Sequence, residues 1–123
     1  MRALIESGRS TSLESYRSAQ KAATEARERA ERLFDIYDAL IAPAAPGVAP
    51  LGLASTGDPV FSRLRTLLRL PTVTLPGLTG ENGLPIGIQL LGRLDADEDL
   101  LAHAAWAETA LPRLDPPSLV STL

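Results

Sequence analysis

One long amphipathic helix constrains the folding of this chain more than any other feature of its sequence. Between Thr11 and Asp38, apolar residues recur at alternating spacings of three and four, which predicts a helix over residues 11–38 with one narrow apolar stripe. The stripe consists of Tyr16, Ala19, Ala23, Ala26, Ala30, Leu33 and Tyr37. Thr11 and Glu14 fit a capping box, which places the N-cap at Thr11. Because the stripe is mostly alanine, we expect it to pack on a larger body, with a self-associating coiled coil as the alternative.

Three short segments further along the chain predict β-strands. Ala39–Ala42 is apolar throughout, as expected for a strand that is buried on both faces. Thr72–Leu75 is rich in β-branched residues and is closed by the turn-forming pair Pro76-Gly77. Ile86–Leu91 contains Gly87, which indicates that another backbone or a helix approaches this strand closely.

Two shorter helices alternate with these strands. The first begins with Asp58 as the N-cap and Pro59 in the first helical position, and it ends before Pro71. The second has Asp95 as the N-cap, with Glu98 three residues later. The predicted apolar faces are Phe61, Leu64 and Leu68 in the first helix, and Leu100, Ala104, Ala107 and Leu111 in the second.

The order of these elements predicts the α/β fold class. We expect a partial mixed β-sheet flanked by helices within residues 1–112, followed by an extended or disordered tail over residues 113–123. A strand that is buried on both faces needs covering layers on both sides, and 123 residues supply too little chain for them. The sequence therefore predicts a piece of a larger sheet.

The segments that carry these elements also resemble a known enzyme family. Tyr37–Ala44 resembles an aspartate–apolar–proline segment of the amidase-signature hydrolases, and Pro71–Gly77 looks like the strand that follows it there. Gly83–Gly92 is similar to the family's Gly-Leu-Pro-x-Gly-x-Gln run, and Leu4–Gly8 and the Leu100-Leu101 pair also fit. The resemblance extends over residues 2–111 and implies the C-terminal segment of the amidase-signature fold.

The resemblance implies hydrolysis of amide C–N bonds by a Ser–cis-Ser–Lys triad, which lies in the N-terminal and central part of the family's chains. The present sequence has no Ser-Ser pair, and its single lysine, Lys21, belongs to the amphipathic helix. We therefore expect a segment without catalytic residues that is inactive alone. It would need a complementary N-terminal amidase chain or self-association, and only the completed enzyme would bind a small amide substrate. The alternatives are a non-catalytic interaction module that associates through helix 11–38 and a truncated gene product.

Phe61 and Arg65 are the candidate substrate-binding residues. The resemblance implies that their helix borders the substrate pocket, and Arg65 stands where relatives often carry a tryptophan. Arg63 and Arg69 belong to the same helix, so these arginines either line a pocket for an acidic substrate or face solvent. We expect Gln89 to bond buried backbone groups rather than substrate, because buried polar atoms are nearly always paired.

Composition excludes several other classes of function. Without cysteine there are no disulfides, thiolate metal sites or cysteine nucleophiles. The only histidine, His103, is expected to pack rather than to act as a base, and the aspartates of residues 95–99 lack the glycine of a calcium-binding loop, so neither metal nor cofactor is expected. A net charge of −3 argues against nucleic acid. With no apolar run of membrane-spanning length and no signal peptide, we expect no membrane association and a cytoplasmic location.

Overall fold

The computed structural model describes residues 2–115, so most of the predicted tail at 113–123 lies outside the described residues. Four helices alternate with three strands in this part of the chain, and two short 3₁₀ turns connect them. The elements are α1 (Arg2–Ser10), α2 (Leu13–Glu31), β1 (Leu40–Pro43), α3 (Val60–Leu68), β2 (Thr72–Thr79), β3 (Pro85–Leu91) and α4 (Asp97–Glu108), with the 3₁₀ turns at Arg32–Asp35 and Glu81–Gly83.

The long helix is shorter than the sequence predicts. α2 begins at Leu13 because Ser12 is its N-cap, and the Ser12 Oγ accepts a backbone N–H three residues later at 3.1 Å. The Thr11 hydroxyl, the predicted cap, instead donates to the Ser7 carbonyl of α1 at 2.9 Å. At its other end the helix tightens into the first 3₁₀ turn rather than continuing to residue 38. The sequence pattern therefore located the helix but not its ends, and it gave no indication of α1.

Only the middle of the alanine-rich stripe is covered. Ala23 and Ala30 are buried, whereas Tyr16 and Tyr37 are 55% and 54% exposed. The covered part packs against α3, and the Arg27 Nε–H donates to a backbone carbonyl of that helix at 2.9 Å. Alanine allows this close approach, as the packing interpretation predicts. The first turns of α2, around Tyr16, are largely exposed.

The sheet has the strand order β1–β3–β2, and both pairings are antiparallel. The α/β class and the helix-flanked sheet are confirmed, but the sheet formed by the described residues is antiparallel rather than mixed. β1 and β2 each pair on one side only. Ile41 of β1 lies beside Leu90 in the register, yet it is 68% exposed, so this chain by itself does not cover both faces of the strand, as expected for a piece of a larger sheet. α4 packs mainly over β2 and β3, which leaves Ile41 of the outer strand β1 largely uncovered.

β2 runs further than the predicted strand Thr72–Leu75 because a β-bulge absorbs Pro76 and Gly77. Pairing with β3 is regular up to Leu75, shifts, and resumes at Leu78. Proline has no N–H for the ladder, so a strand tolerates it at a bulge or at an edge position whose N–H would face away from the partner strand. Gly77 has a φ of 137°, and a Cβ at this position would lie 2.9 Å from Leu111 Cβ, just beyond α4.

The core lies between α4 and the half of the sheet formed by β2 and β3. Its buried members are Leu75, Leu90, Leu100 and Ala104. The predicted apolar face of α4 is confirmed, because Leu100 and Ala104 are 2% and 4% exposed and Ala107 and Leu111 pack against them. Gly92 follows β3 and allows α4 to pack closely against the sheet, since a Cβ at this position would lie 2.9 Å from Leu100 Cβ.

The starts of α3 and α4 each differ by one residue from the prediction. Pro59 rather than Asp58 is the N-cap of α3, and Ala96 rather than Asp95 is the N-cap of α4. Neither cap makes a side-chain hydrogen bond. Asp95 adopts a left-handed backbone with a φ of 61°, which differs from the extended conformation typical of an N-cap. The acidic first turn of α4 still stabilises the positive end of the helix dipole.

Candidate functional site

α3 carries both candidate substrate-binding residues on the face that it turns towards the rest of the chain. Phe61, Arg65 and Leu68 are partly buried along this face. Leu64, which was predicted to share it, is 59% exposed and lies in a shallow groove against α2. The apolar pattern misplaces the face because an arginine holds one of its central positions, and arginine can bury its stem while its head stays polar.

The Arg65 guanidinium is only partly paired. Its Nη2 donates to Ser62 Oγ at 3.2 Å, one turn earlier on the same helix. Its Nε is buried and has no hydrogen-bond partner among the described residues. None of the ion pairs in this part of the chain includes Arg65. Its place in the last turn of α3 favours a cation, because the carbonyl end of a helix is negative, but this effect supplies no acceptor for Nε.

Arg65 lines an open cleft of about 380 Å³ between the end of α3 and the connection from β3 to α4. The lining residues are Arg65, Thr66, Arg69, Leu70, Pro71, Leu94, Asp95 and Asp97. Of the three arginines in the predicted helix, the structure brings Arg65 and Arg69 to this cleft and leaves Arg63 exposed and away from it. Phe61 is not among the lining residues. With two guanidinium and two carboxylate groups, the cleft is suited to a small polar ligand.

The other residues singled out from the sequence lie elsewhere in the fold, away from the Arg65 cleft. Lys21 is 81% exposed and pairs with Glu25 at 3.9 Å, so it is solvated as expected. His103 is partly buried in a small cleft of about 160 Å³ near Asp38 and Asp99, and its Nδ1 has no hydrogen-bond partner there. Gln89 is 2% exposed in the central strand, and its predicted bonding to backbone groups stays a prediction. Residues 2–115 contain no group of acidic or histidine side chains arranged for a metal ion.

Arg93 joins two distant parts of the chain, and sequence patterns could not find this contact. Its guanidinium donates to Asp35 Oδ1 at 2.8 Å and lies 3.4 Å from a Glu31 carboxylate oxygen. The hydrogen bond to Asp35 raises the pKa of Arg93 above its ordinary value, and both carboxylates add to the rise. The end of α2 is thereby tied to the β3–α4 connection that forms one side of the Arg65 cleft.

The fold defines a segment of a helix-flanked α/β sheet with a polar cleft at its side. The sequence model of the family described as Amidase matches residues 1–101. A glutamyl-tRNA(Gln) amidotransferase subunit of Methylocella silvestris is 35% identical in an alignment 111 residues long, which covers 83% of this chain and 22% of that protein. The corresponding protein of Thermosynechococcus vestitus is 40% identical in an alignment 100 residues long, which covers 75% of this chain and 20% of the relative.

Solved structures agree with the sequence relatives. The crystal structure of an amidase superposes with a TM-score of 0.77 at 29% identity, covering 89% of this chain and 28% of the other. The glutamyl-tRNA(Gln) amidotransferase subunit from Thermotoga maritima gives a TM-score of 0.68 at 25% identity, covering 81% of this chain and 23% of the other. The chain belongs to the amidase family, and it spans between a fifth and just over a quarter of the length of these relatives. Among its described helices, none has the length and hydropathy of a membrane span.

Proposed function

We propose that this chain is the segment of an amidase-signature hydrolase that completes its sheet and one wall of its substrate cleft. Amide C–N bonds would be cleaved by residues supplied from outside this sequence. Family membership supports the reaction class, since relatives are amidases and amidotransferase subunits. The observation that carries the proposal is the amount of surface that the chain leaves open.

The accessible surface of the chain is 9916 Å² for a mass of 13.1 kDa. A folded monomeric protein of this mass has about 6,400 Å². The excess is roughly 3,500 Å², and an obligate interface of about 2,000–5,000 Å² in total buries half of that area on each partner, so the excess is large enough to include one side of such an interface. Part of it is apolar, since Ile41 is 68% exposed and Leu51 and Leu53 are fully exposed. Such surfaces are typical of a protein that is completed by a partner.

The chemistry leads to the same proposal. A serine hydroxyl becomes an effective nucleophile only when a nearby base takes its proton. Lys21 cannot be that base, because it is exposed and paired with Glu25. The sequence also has no Ser-Ser pair and no Gly-Ser dipeptide, so it lacks the Gly-Gly-Ser-Ser type stretch of the family. The chain is therefore expected to be inactive alone, with the triad supplied by a complementary N-terminal amidase chain.

Phe61 and Arg65 are proposed to form the wall that this chain adds to the cleft. Both are partly buried on the inward face of α3, one turn apart, where a complementary chain could lay a substrate against them. Arg65 has an unpaired buried donor, as a binding residue would have in the absence of its ligand.

The test is an assay of the chain with and without the missing part of the fold. The chain alone should hydrolyse simple aryl and alkyl amides at the buffer rate, and so should its Lys21→Ala/His103→Ala variant. Co-expression with the part of the related amidase that this chain does not match should give a complex and restore turnover. The matched control is Ile41→Asp, which places a charge on the open edge and should prevent the complex. Turnover by the isolated chain would contradict the proposal.

A second candidate function is self-association through the first turns of α2. Leu13 and Tyr16 are 62% and 55% exposed on that helix, and nothing in the described chain covers them. In this case the chain would be an interaction module without hydrolase activity. The two candidates differ in the surface that holds the partner, which is the sheet edge at Ile41 in the first and the helix face at Tyr16 in the second.

A further inference from the structure

Arg65 has more hydrogen-bonding capacity than the chain satisfies. A guanidinium carries five N–H donors. The only acceptor that the described residues offer is Ser62 Oγ, at 3.2 Å from Nη2. The Nε–H is buried without a partner, and no carboxylate of the described residues lies within 4.0 Å of the group. Buried donors in folded proteins are nearly always paired with a protein group, water or a ligand, so Arg65 Nε is free to bind an acceptor from outside the described residues.

The surroundings of Arg65 indicate the charge of that acceptor. Arg69 lines the same cleft one turn further on, so two guanidinium groups create a positive potential on its α3 side. Asp95 and Asp97 line the opposite side, and both are exposed. These carboxylates repel a dianion such as phosphate more strongly than a monoanion. The cleft is therefore better matched to a single carboxylate.

We propose that Arg65 binds the carboxylate of a small-molecule ligand in the cleft between α3 and the β3–α4 connection. Nε and one Nη of a guanidinium form a planar fork that matches the two oxygens of a carboxylate. The inference rests on the proposed function in one respect: the ligand is the amide substrate, which would therefore be an anionic amide. Neutral amides of the same size would lack the group that Arg65 holds.

The first experiment observes the side chain directly. The Nε–Hε signals of ¹⁵N-labelled chain are followed by NMR during titration with propionate, with propionamide as the neutral isostere and chloride as the salt control. The Arg65 signal should move and saturate with propionate and stay in place with the other two. No movement, or equal movement with all three, would overturn the proposal.

Matched variants then test which arginine is responsible, with the backbone amides of Thr66 and Leu70 as reporters. Arg65→Gln should weaken propionate binding at least tenfold, since hydrogen bonds to charged groups are worth about one to two factors of ten. Arg65→Lys should retain only part of the affinity, and the exposed control Arg63→Gln should bind as the wild type does. An equal loss in Arg63→Gln would assign the effect to general surface charge and overturn the proposal. If Arg65→Gln fails to fold by circular dichroism, the wild-type titration and Arg65→Lys decide the question.

A third experiment tests whether the partner of Arg65 is a small-molecule ligand or a side chain of the complementary part of the fold. In the assembly with the complementary part of an amidase, Arg65 should still respond to propionate. A lost response would show that a carboxylate of the added chain occupies the guanidinium, which overturns a ligand site. None of these readouts needs hydrolysis. If turnover is restored but the Arg65 signal does not respond to propionate, this inference is refuted and the proposed function stands. If propionate binds at Arg65 but turnover is not restored, the proposed function is refuted and this inference stands.

Discussion

Gly92→Ala tests whether the contact between β3 and α4 holds the fold together. A Cβ at residue 92 would lie 2.9 Å from Leu100 Cβ and 3.3 Å from both of its δ-carbons. Leu100 is 2% exposed, and its Cβ is fixed to the helix backbone, so no rotamer change relieves the contact. α4 must therefore shift on the sheet, and overpacking of this kind costs about 1–3 kcal/mol. The φ of Gly92 is outside the left-handed region, so the change tests space rather than backbone strain.

The assay is urea denaturation followed by circular dichroism, at one fixed protein concentration because association would shift the midpoint. With an m-value of about 1–3 kcal/mol/M, a loss of about 2 kcal/mol lowers the midpoint by roughly 0.7–2 M. The matched control is Gly8→Ala in α1, where an added Cβ meets nothing within 4 Å. It should leave stability unchanged or raise it by up to about 1 kcal/mol, since alanine favours helix. A neutral Gly92→Ala would refute the close packing of α4 on β3.

Two further predictions concern the sheet. Gly87→Val should destabilise the folded assembly by about 1–3 kcal/mol, because a Cβ there would lie 2.7 Å from Thr74 Cγ2 and 3.4 Å from Ala44 Cβ. Thr79→Val, exposed at the end of β2, should stay within about 0.5 kcal/mol, and denaturation of both variants checks the difference. Sedimentation at micromolar concentration should show that the chain associates. Ile41→Lys should reduce this association because it places a charge on the edge strand, whereas Tyr16→Lys should not. A compact monomer would contradict the open-edge reasoning, and the opposite response of the two variants would favour the helix candidate.

The parts of the fold that local patterns specify were predicted from the sequence. The 3–4 spacing located α2, and the face of α4 with Leu100 and Ala104 was correct because it depends only on helical periodicity. Gly87 indicated a close neighbour, and the structure places Thr74 and Ala44 there. The two later strands were located by their β-branched and apolar runs, because these residues suit a half-buried pleated surface.

The parts that depend on distant or equivalent neighbours were not predicted. Thr11 and Ser12 are chemically equivalent caps, and only the hydrogen bond from Thr11 to Ser7 of α1 decides between them. The pairing of β1 with β3 joins segments far apart in sequence, so it could not be read locally, whereas the five-residue connection from β2 to β3 is too short for a parallel pair. At the candidate site, Arg65 was named from a resemblance, but its buried Nε and its cleft with Asp95 depend on how α3 and the β3–α4 connection meet.

The bulge at Pro76 and Gly77 gives the sheet a way to fix the position of a helix. Gly77 has no side chain, and Leu111 packs against it so closely that no larger residue fits at position 77. Gly92 receives Leu100 in the same way at the other end of α4. Because Leu100 and Leu111 each pack against a glycine of the sheet, together they fix both the direction of α4 and its position along the sheet. Lengthening the helix by one residue between these points would rotate Leu111 by about 100° away from Gly77. The distance between the two glycines therefore fixes the position of α4, so we expect an insertion between Leu100 and Leu111 to destabilise the fold more than a substitution at an exposed position of the helix.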